Sequence, residues 1–443
     1  MARLFGTDGI RGVANVDLKP GLALALARAT ARRLAAPGDA IVVGQDTRRS
    51  GDMFVAAIVA GATSLGVDVH VVGVVPTPAL AHLARTGPYR AGIMVSASHN
   101  PADDNGIKVL DANGLKLDDS IEDELEALIW REGELGGERN ATLGRRIAAE
   151  PAVEAYRAHR LGLARAVDAS GMHIVLDGAN GSGGALGVEI LTATGARVDA
   201  IHVSPDGINI NVDCGATAPT SLARAVVERG ADIGFALDGD ADRLIAVDGA
   251  GQVVDGDQVL GILALERLAR GVLPGGLVVS ILSNGGLQGA VEAAGGQVVR
   301  TPVGDKYILD GMQVSGATLG GEKSGHVIIL EHTTSGDGIV TALEVLRVVT
   351  ARRTPLAELA RAIPLLPQQQ RAVLARHKDQ WEGDPELGRA IADATARLAG
   401  HGRVLVRPSG TEPALRVMVE GPEEALVSEL ADALAALAGE RLN

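Results

Sequence analysis

Apolar and polar positions alternate along this chain in blocks rather than residue by residue. An Ala- and Leu-rich stretch at 21–36 has helical spacing. The apolar run AIVVGQD (40–46) ends in polar loop residues, as a buried strand does. FVAAIVAGATSLG returns to helix and VDVHVVGVVP to strand, and a short helix near 79–85 leads into the strand GIMVSAS (92–98). This alternation predicts a layered α/β architecture.

The style recurs. HIVLDGANGSGG (173–184), IGFALDGDADR (233–243) and LVVSILSNGG (277–286) are each an apolar strand running into a loop rich in Gly, Asp or Asn. They suggest two or three related α/β units. Joints are expected near Glu150-Pro151, between Asp248 and Gly256, and at PLLPQQQ (364–370). The tail differs: a helical stretch at 384–398, strands VLVRPSG and LRVMVEG, and an amphipathic helix from Pro422 to Leu442 predict a smaller domain. Ligands of open α/β sheets gather at the carboxyl ends of strands. Ser98, Asp238 and Asn284 stand at such ends, so their loops are expected to converge on one cleft.

Composition narrows the class. The chain has 443 residues, 46% of them apolar but only 2% aromatic, so its cores must be built from aliphatic side chains. A formal charge of −14 disfavours nucleic acid or an anionic membrane as partner. The single cysteine, Cys214, leaves no internal disulfide. No leader-like stretch opens MARLFGTDGIRG, and no apolar run approaches the roughly 18 residues of a membrane helix. A cytoplasmic protein is expected.

Five stretches carry candidate chemistry. DGDADR (238–243) sets three carboxylates among small residues. Extended, alternate side chains would lie about 6.8 Å apart, too far to share an ion. Curled, the loop becomes a hard-oxygen site for Mg²⁺ or Ca²⁺. A solvated acidic turn is the plainer alternative, but an apolar context makes uncompensated carboxylates costly. An EF-hand is excluded, because its sixth position would be Arg243 and its twelfth Gly249. RPSGTEPALR (407–416) offers Ser409, Gly410 and Thr411 between Arg407 and Arg416, either an anion nest or an ordinary Ser-Gly turn. GGEKSGH (320–326) sets Glu322 and Ser324 where both suit sugar hydroxyls, while His326 taken alone reads as structural. FGTDGIRG (5–12) holds Arg11 in a segment that no helix or strand period explains, and taken alone it reads as a flexible arm. SASHNPADDNGIK (96–108) carries Ser98 outside any G-x-S-x-G elbow. GANGSGG (178–184) is not a dinucleotide fingerprint, and GGEKSGH is not a Walker loop.

Four of these stretches, in this order, resemble the motifs of the α-D-phosphohexomutase superfamily: SASHNP, DGDADR, GEKSGH and RPSGTEP. The likeness runs along nearly the whole chain. FGTDGIRG, VVPTPA (74–79), GININ with CGAT (207–217) and VGDKYIL (303–309) are most similar to the superfamily's bacterial phosphoglucosamine mutase branch. Two positions depart: Gln45 stands where the family usually has arginine, and Lys323 where that branch commonly has glutamine.

The resemblance implies three related α/β domains, 1–150, 151–253 and 254–366, and a smaller α+β domain, 367–443, around a central cleft. It implies that Ser98 carries a phosphoryl group and that Ser98, Asp238, Asp240 and Asp242 hold one Mg²⁺. Arg11, Lys108 and His326 would serve the reacting group, with Lys108 a candidate proton shuttle. Arg243, Glu322 and Ser324 would hold substrate beside the phosphate grip of Arg407, Ser409, Gly410, Thr411 and Arg416. The implied reaction interconverts glucosamine 6-phosphate and glucosamine 1-phosphate through a 1,6-bisphosphate that also activates, towards UDP-N-acetylglucosamine and the cell wall. The substrate is a small sugar phosphate, with no nucleic acid and no membrane, and a homodimer is allowed. The alternative within the superfamily is a phosphomannomutase/phosphoglucomutase.

Overall fold

The computed structural model describes residues 3–6, 8–409 and 413–443. They form two compact units: Met1–Leu282 with Ala294–Ala362, and Ser283–Ala293 with Ile363–Asn443.

In the first unit the predicted blocks become three sheets. The strand Ala40–Gln45 lies between the parallel strands Asp68–Val74 and Tyr89–Val95. The helices Pro20–Leu34 and Gly51–Thr63 put their apolar faces into the aliphatic core below. Pro20 starts the first of these at a position where a missing N–H costs nothing, and Arg32 and Arg33 close it at the negative end of its dipole. Three further strands complete this six-stranded sheet, and one of them, Arg146–Ala148, pairs parallel with Asp68–Val74 at the far edge. Asp104–Asp111 runs antiparallel to Tyr89–Val95, and Ile10–Val13 pairs antiparallel with Asp104–Asp111, Arg11 opposite Gly106. The segment expected as a flexible arm is therefore strand from Ile10. Its period is invisible because an edge strand of four residues takes its order from its neighbour's backbone.

The second sheet sets His173–Asp177 between the parallel strands Arg197–Ile201 and Ile233–Leu237, and Leu244–Asp248 turns back beside the last. The third holds Val298–Thr301, Leu277–Ser280, Leu319–Gly321 and Val327–Ile329. Among the described residues no helix is long and apolar enough to cross a membrane.

The second unit is a three-stranded antiparallel sheet, Gln368–Leu374, Ala414–Glu420 and Arg403–Pro408, backed by the helices Pro385–Arg397 and Glu424–Arg441. Leu387, Leu415, Val417, Val419, Val427 and Leu434 form its core. The helix Gly285–Ala293 belongs to this unit, although both strands that flank it belong to the other. Buried Glu420 accepts from Gly285 N, Arg403 Nε and Gln368 Nε2, each at 2.9 Å.

One buried ion pair anchors the helix Gly338–Arg352. Asp337 caps it, accepting from Ile339 N and Val340 N at 3.0 Å. The other Asp337 oxygen receives Arg160 NH2 at 2.9 Å and the Tyr156 hydroxyl at 3.0 Å, with both charged side chains fully buried. Asp337→Ala would strand a buried guanidinium and remove the cap. It is expected to cost about 3–5 kcal/mol, read as a lower urea midpoint. His82 packs edge-on to Tyr156, and burial, with Arg160 and His159 nearby, depresses its imidazole to about 4. The unfolded state therefore binds more protons than the folded one between pH 6.5 and 4, and stability should fall as pH falls through that window. His82→Gln should flatten part of that fall in urea titrations at a series of pH values.

Candidate active site

Ser98 follows the strand Tyr89–Val95 with its backbone in the left-handed region, φ +52°. A non-glycine residue holds that conformation only where its surroundings impose it. Arg48 imposes it. This buried guanidinium donates from NH2 to the carbonyls of Ser98 (3.1 Å) and Asn100 (2.8 Å), and from NH1 to those of Asp104 (2.9 Å) and Pro101. Its Nε pairs with Asp46 at 2.9 Å. Asp46 also accepts from Ser96 Oγ, which in turn accepts from Ser98 N. Asn211 adds a second clamp, donating to Ser98 O at 2.9 Å and Asn100 O at 3.1 Å. A planar fork of donors is what a loop of converging carbonyls needs.

The carboxylates occupy the reversal between Ile233–Leu237 and Leu244–Asp248. The loop does curl: Ala241 N donates to Asp238 O at 3.0 Å, with Ala241 at φ +56°. One oxygen from each of Asp238, Asp240 and Asp242 then falls within 4.8 Å of the others, all three residues buried. Gly239 is required by proximity rather than by its own dihedral. A Cβ there would lie 2.6 Å from Ser98 O. That approach lets Ser98 Oγ donate to Asp238 Oδ2 at 2.6 Å.

Burial, then the charges of Asp242 and Asp240, push the Asp238 carboxyl well above its ordinary range. Burial would raise Asp242 too, but Lys108, His326 and Arg243 hold it well below. Among the described residues, Asp240 Oδ1 and Asp242 Oδ1 are buried without a hydrogen-bond partner. Orphaned hard oxygens in a mutually repelling trio fit a divalent cation of the Mg²⁺ kind.

Cations ring this trio. Lys108 is buried, with Nζ 2.9 Å from Asp240, 3.0 Å from Asp8 and 3.6 Å from Asp242. Burial opposes its charge, but those carboxylates hold its ammonium well above the usual lysine value. Arg11 donates to Asn100 Oδ1 at 3.1 Å and pairs with Asp8, and Asp8 also pairs with Lys116. Arg243 Nε stands 3.8 Å from Asp242. His99 Nδ1 lies 3.2 Å from Ser98 Oγ, and burial together with Arg243 and Arg11 depresses its imidazole to about 4, so it is neutral near pH 7.

The turn Glu322–His326 docks on the exit of the carboxylate loop. Leu244 N donates to Gly325 O at 3.0 Å, and Arg243 forms a β-bridge with His326. Gly325 has φ +91°, and a Cβ there would sit 2.2 Å from Leu244 O, so only glycine fits. His326 Nδ1 is 3.7 Å from Asp242, and its Nε2 accepts from Gly336 N at 3.0 Å. Burial opposes protonation of His326, but Asp242 outweighs it and lifts the imidazole above its ordinary value. Glu322 Oε1 accepts from Gly304 N at 3.1 Å, and Ser324 Oγ is buried with no hydrogen-bond partner among the described residues. Lys323 lies 4.0 Å from Asp255.

Ser98, Lys108, Arg11, His326, Asp238, Asp240, Asp242, Arg243, Glu322 and Ser324 thus all belong to the first unit. Arg407, Ser409 and Arg416 belong to the second. Arg407 and Arg416 are directly opposed on antiparallel strands. Ser409 N donates to Ala414 O at 2.8 Å. Gly410 and Thr411 lie outside the described residues. Asn284, expected to join Ser98 and Asp238, spends its side chain on both backbone groups of Leu366 within the second unit. An asparagine at a strand end can serve a chain turn as well as a ligand.

Sequence reasoning missed Arg48, Asp46, Asn211, Asp8 and Thr77, whose hydroxyl donates to Asp240 Oδ2 at 2.5 Å. The signal for Arg48 was its place in GQDTRRSG, directly after a buried strand. Lysine cannot reproduce its fork, so Arg48→Lys is expected to lower kcat by about 10²-fold through misplacement of Ser98, with a native circular dichroism spectrum as the control.

The chain matches the phosphoglucomutase/phosphomannomutase family in four consecutive segments. These are α/β/α domains I, II and III at residues 2–135, 154–251 and 255–365, and the C-terminal domain at 370–437. It is 52% identical to the phosphoglucosamine mutase of Moorella thermoacetica, over 96% of each chain. It is 47% identical to that of Frankia alni, over 99% of this chain and 98% of the relative. A Burkholderia thailandensis protein of the phosphoglucomutase/phosphomannomutase family superposes with TM-score 0.84 at 26% identity, covering 100% of this chain and 99% of the other. The fold is also that of Aspergillus fumigatus N-acetylphosphoglucosamine mutase in complex with GlcNAc-6P and magnesium, with TM-score 0.69 and 18% identity over 100% and 96% of the chains. Four matched segments and near-complete coverage at this identity show that the chain belongs to the phosphoglucomutase/phosphomannomutase family, among its phosphoglucosamine mutases.

Proposed function

We propose that Ser98 is the phosphoryl carrier of a reaction interconverting glucosamine 6-phosphate and glucosamine 1-phosphate in the cytoplasm. The observation that carries this reading is the 2.6 Å hydrogen bond between Ser98 Oγ and Asp238 inside a buried carboxylate trio. A carrier serine needs charge compensation, and this one has it.

In the first half-reaction the phosphoserine O–P bond breaks and a new O–P bond forms to the sugar 1-hydroxyl. That hydroxyl gives up its proton, and Ser98 Oγ regains one. The 1,6-bisphosphate turns over and returns its 6-phosphoryl group to Ser98, so the same bisphosphate would activate unphosphorylated enzyme. Asp238, Asp240, Asp242 and a phosphoryl oxygen on Ser98 would hold one Mg²⁺, which supplies charge neutralisation beside the transferred group. The Aspergillus fumigatus enzyme of the same fold, in complex with GlcNAc-6P and magnesium, supports the choice of Mg²⁺ as the ion.

Phosphoryl transfer is mostly positioning and electrostatics. Lys108, held as an ammonium, serves better as fixed positive charge than as a proton shuttle. Arg11 and Arg243 flank His99 and add charge beside Ser98. His326, whose Nε2 accepts from Gly336 N, turns Nδ1 towards Asp242 and would stand beside the reacting group. Glu322 and the unsatisfied Ser324 hydroxyl would hold sugar hydroxyls, and Arg407, Ser409, Gly410, Thr411 and Arg416 the idle phosphate. The reading assigns Ser98 to a domain over 1–150, the carboxylates to 151–253, the sugar loop to 254–366 and the phosphate grip to 367–443.

The purified protein is expected to carry one phosphoryl group mapped to Ser98 by mass spectrometry. Ser98→Ala should cut glucosamine 1-phosphate turnover by at least about 10³-fold. Undiminished turnover in that variant, or far faster turnover of mannose 1-phosphate by the native enzyme, would overturn the reading.

A further inference from the structure

Away from the carboxylate trio, a second group of metal-binding side chains converges in the first unit. Asp177 closes the strand His173–Asp177, and His202 directly follows the neighbouring parallel strand Arg197–Ile201. Cys214 lies on the connection that leads to the helix Thr220–Arg229. Two of the three therefore stand at carboxyl ends of parallel strands, the ligand-gathering end of an open sheet. One donor atom from each, a carboxylate oxygen, a ring nitrogen and the sulfur, lies within 4.8 Å of the other two.

The group is held in place from outside. Asp177 Oδ1 accepts from Ala179 N and Oδ2 from Gly215 N, both at 2.9 Å, as supporting bonds orient a metal-binding carboxylate. His202 Nδ1 is buried and 3.1 Å from Asp177 Oδ1, yet the two make no hydrogen bond. The ring nitrogen is in place without a proton partner there. His202 itself is left-handed at φ +49°, as are Ala179, Asn180, Asn211 and Asp213 in the adjoining segments. Five strained non-glycine residues in three touching loops mark a clamp rather than a slack connection. Asp177 and Cys214 are fully buried, whereas the His202 side chain is 32% exposed, which leaves a route to solvent.

The donor set decides the ligand. Thiol, imidazole and carboxylate together suit zinc and its first-row neighbours, not the oxygen-preferring Mg²⁺ of the carboxylate trio. We propose that Asp177, His202 and Cys214 form a second metal site, for a borderline-soft divalent ion of the zinc class, with a further position open to water. Binding would displace the Cys214 proton to solvent and form the sulfur–metal bond, with no change of oxidation state. Burial, with Asp177 and Asp213 nearby, keeps the metal-free thiol protonated by pushing it up to about 12.

An ion there would brace the connection that serves Ser98. Ala216 N donates to Leu237 O at 2.8 Å, at the threshold of the carboxylate loop, and Asn211 on the same connection clamps the Ser98 carbonyl.

Because the chain has one cysteine, any sulfur-to-cobalt charge-transfer band must come from Cys214. Co²⁺ titrated into the full chain under a large excess of Mg²⁺ is expected to give that band, saturating at one ion per chain with release of one proton, and Zn²⁺ should bleach it. Cys214→Ser should abolish the band. His202→Asn, at a half-exposed side chain, should weaken Co²⁺ binding by about tenfold or more while keeping the native melting curve. Absence of the band in the native chain at saturating Co²⁺ would overturn the proposal. So would a band unchanged by His202→Asn, which would indicate a thiol binding cobalt alone.

Discussion

Three carboxylates buried in one turn cannot all stay charged unless positive charge surrounds them. That constraint organises the site. Asp238, Asp240 and Asp242 draw Lys108 into a fully buried position, draw Arg243 and His326 to Asp242, and still leave two oxygens with no hydrogen-bond partner among the described residues. Asp8 extends the pattern outward by tying Lys108, Arg11 and Lys116 to one carboxylate. What results is a lattice of alternating charge. A transferring phosphoryl group placed there would meet fixed positive groups on several sides.

The same lattice explains why glycines stand where they do. Gly239 lets the carboxylate loop touch the Ser98 carbonyl, and Gly325 lets the Glu322–His326 turn touch Leu244. A single Cβ at either place would separate two loops that must meet. Arg48 and Asn211 hold Ser98 by donating to its carbonyl and to that of Asn100. Its hydroxyl is therefore aimed by backbone strain and by charge together, and needs no adjacent base.

Much of this was legible in the linear pattern. The helix over Pro20–Leu34, the strand Ala40–Gln45 and the three strand-to-loop units were visible because their burial is one-sided or complete, and that periodicity is local. The strand Ile10–Val13 was not, since its only structural claim is pairing with Asp104–Asp111. The helix Gly285–Ala293 was not read from the chain, where LVVSILSNGG shows only a strand running into a loop, and its membership of the second unit depends on Glu420 and Leu366.

By itself the sequence determined the alternation of elements, the placing of Ser98 and Asp238 at strand ends, and the residue types of the four chemistry-bearing loops. Those are properties of neighbours along the chain. Only the tertiary structure decided that Arg48 clamps Ser98, that Asp8 gathers three cations, and that Asp177, His202 and Cys214 meet. Each of these joins residues from separate segments. Their energy comes from removing charge and hydrogen-bonding groups from water together, which no local spacing records.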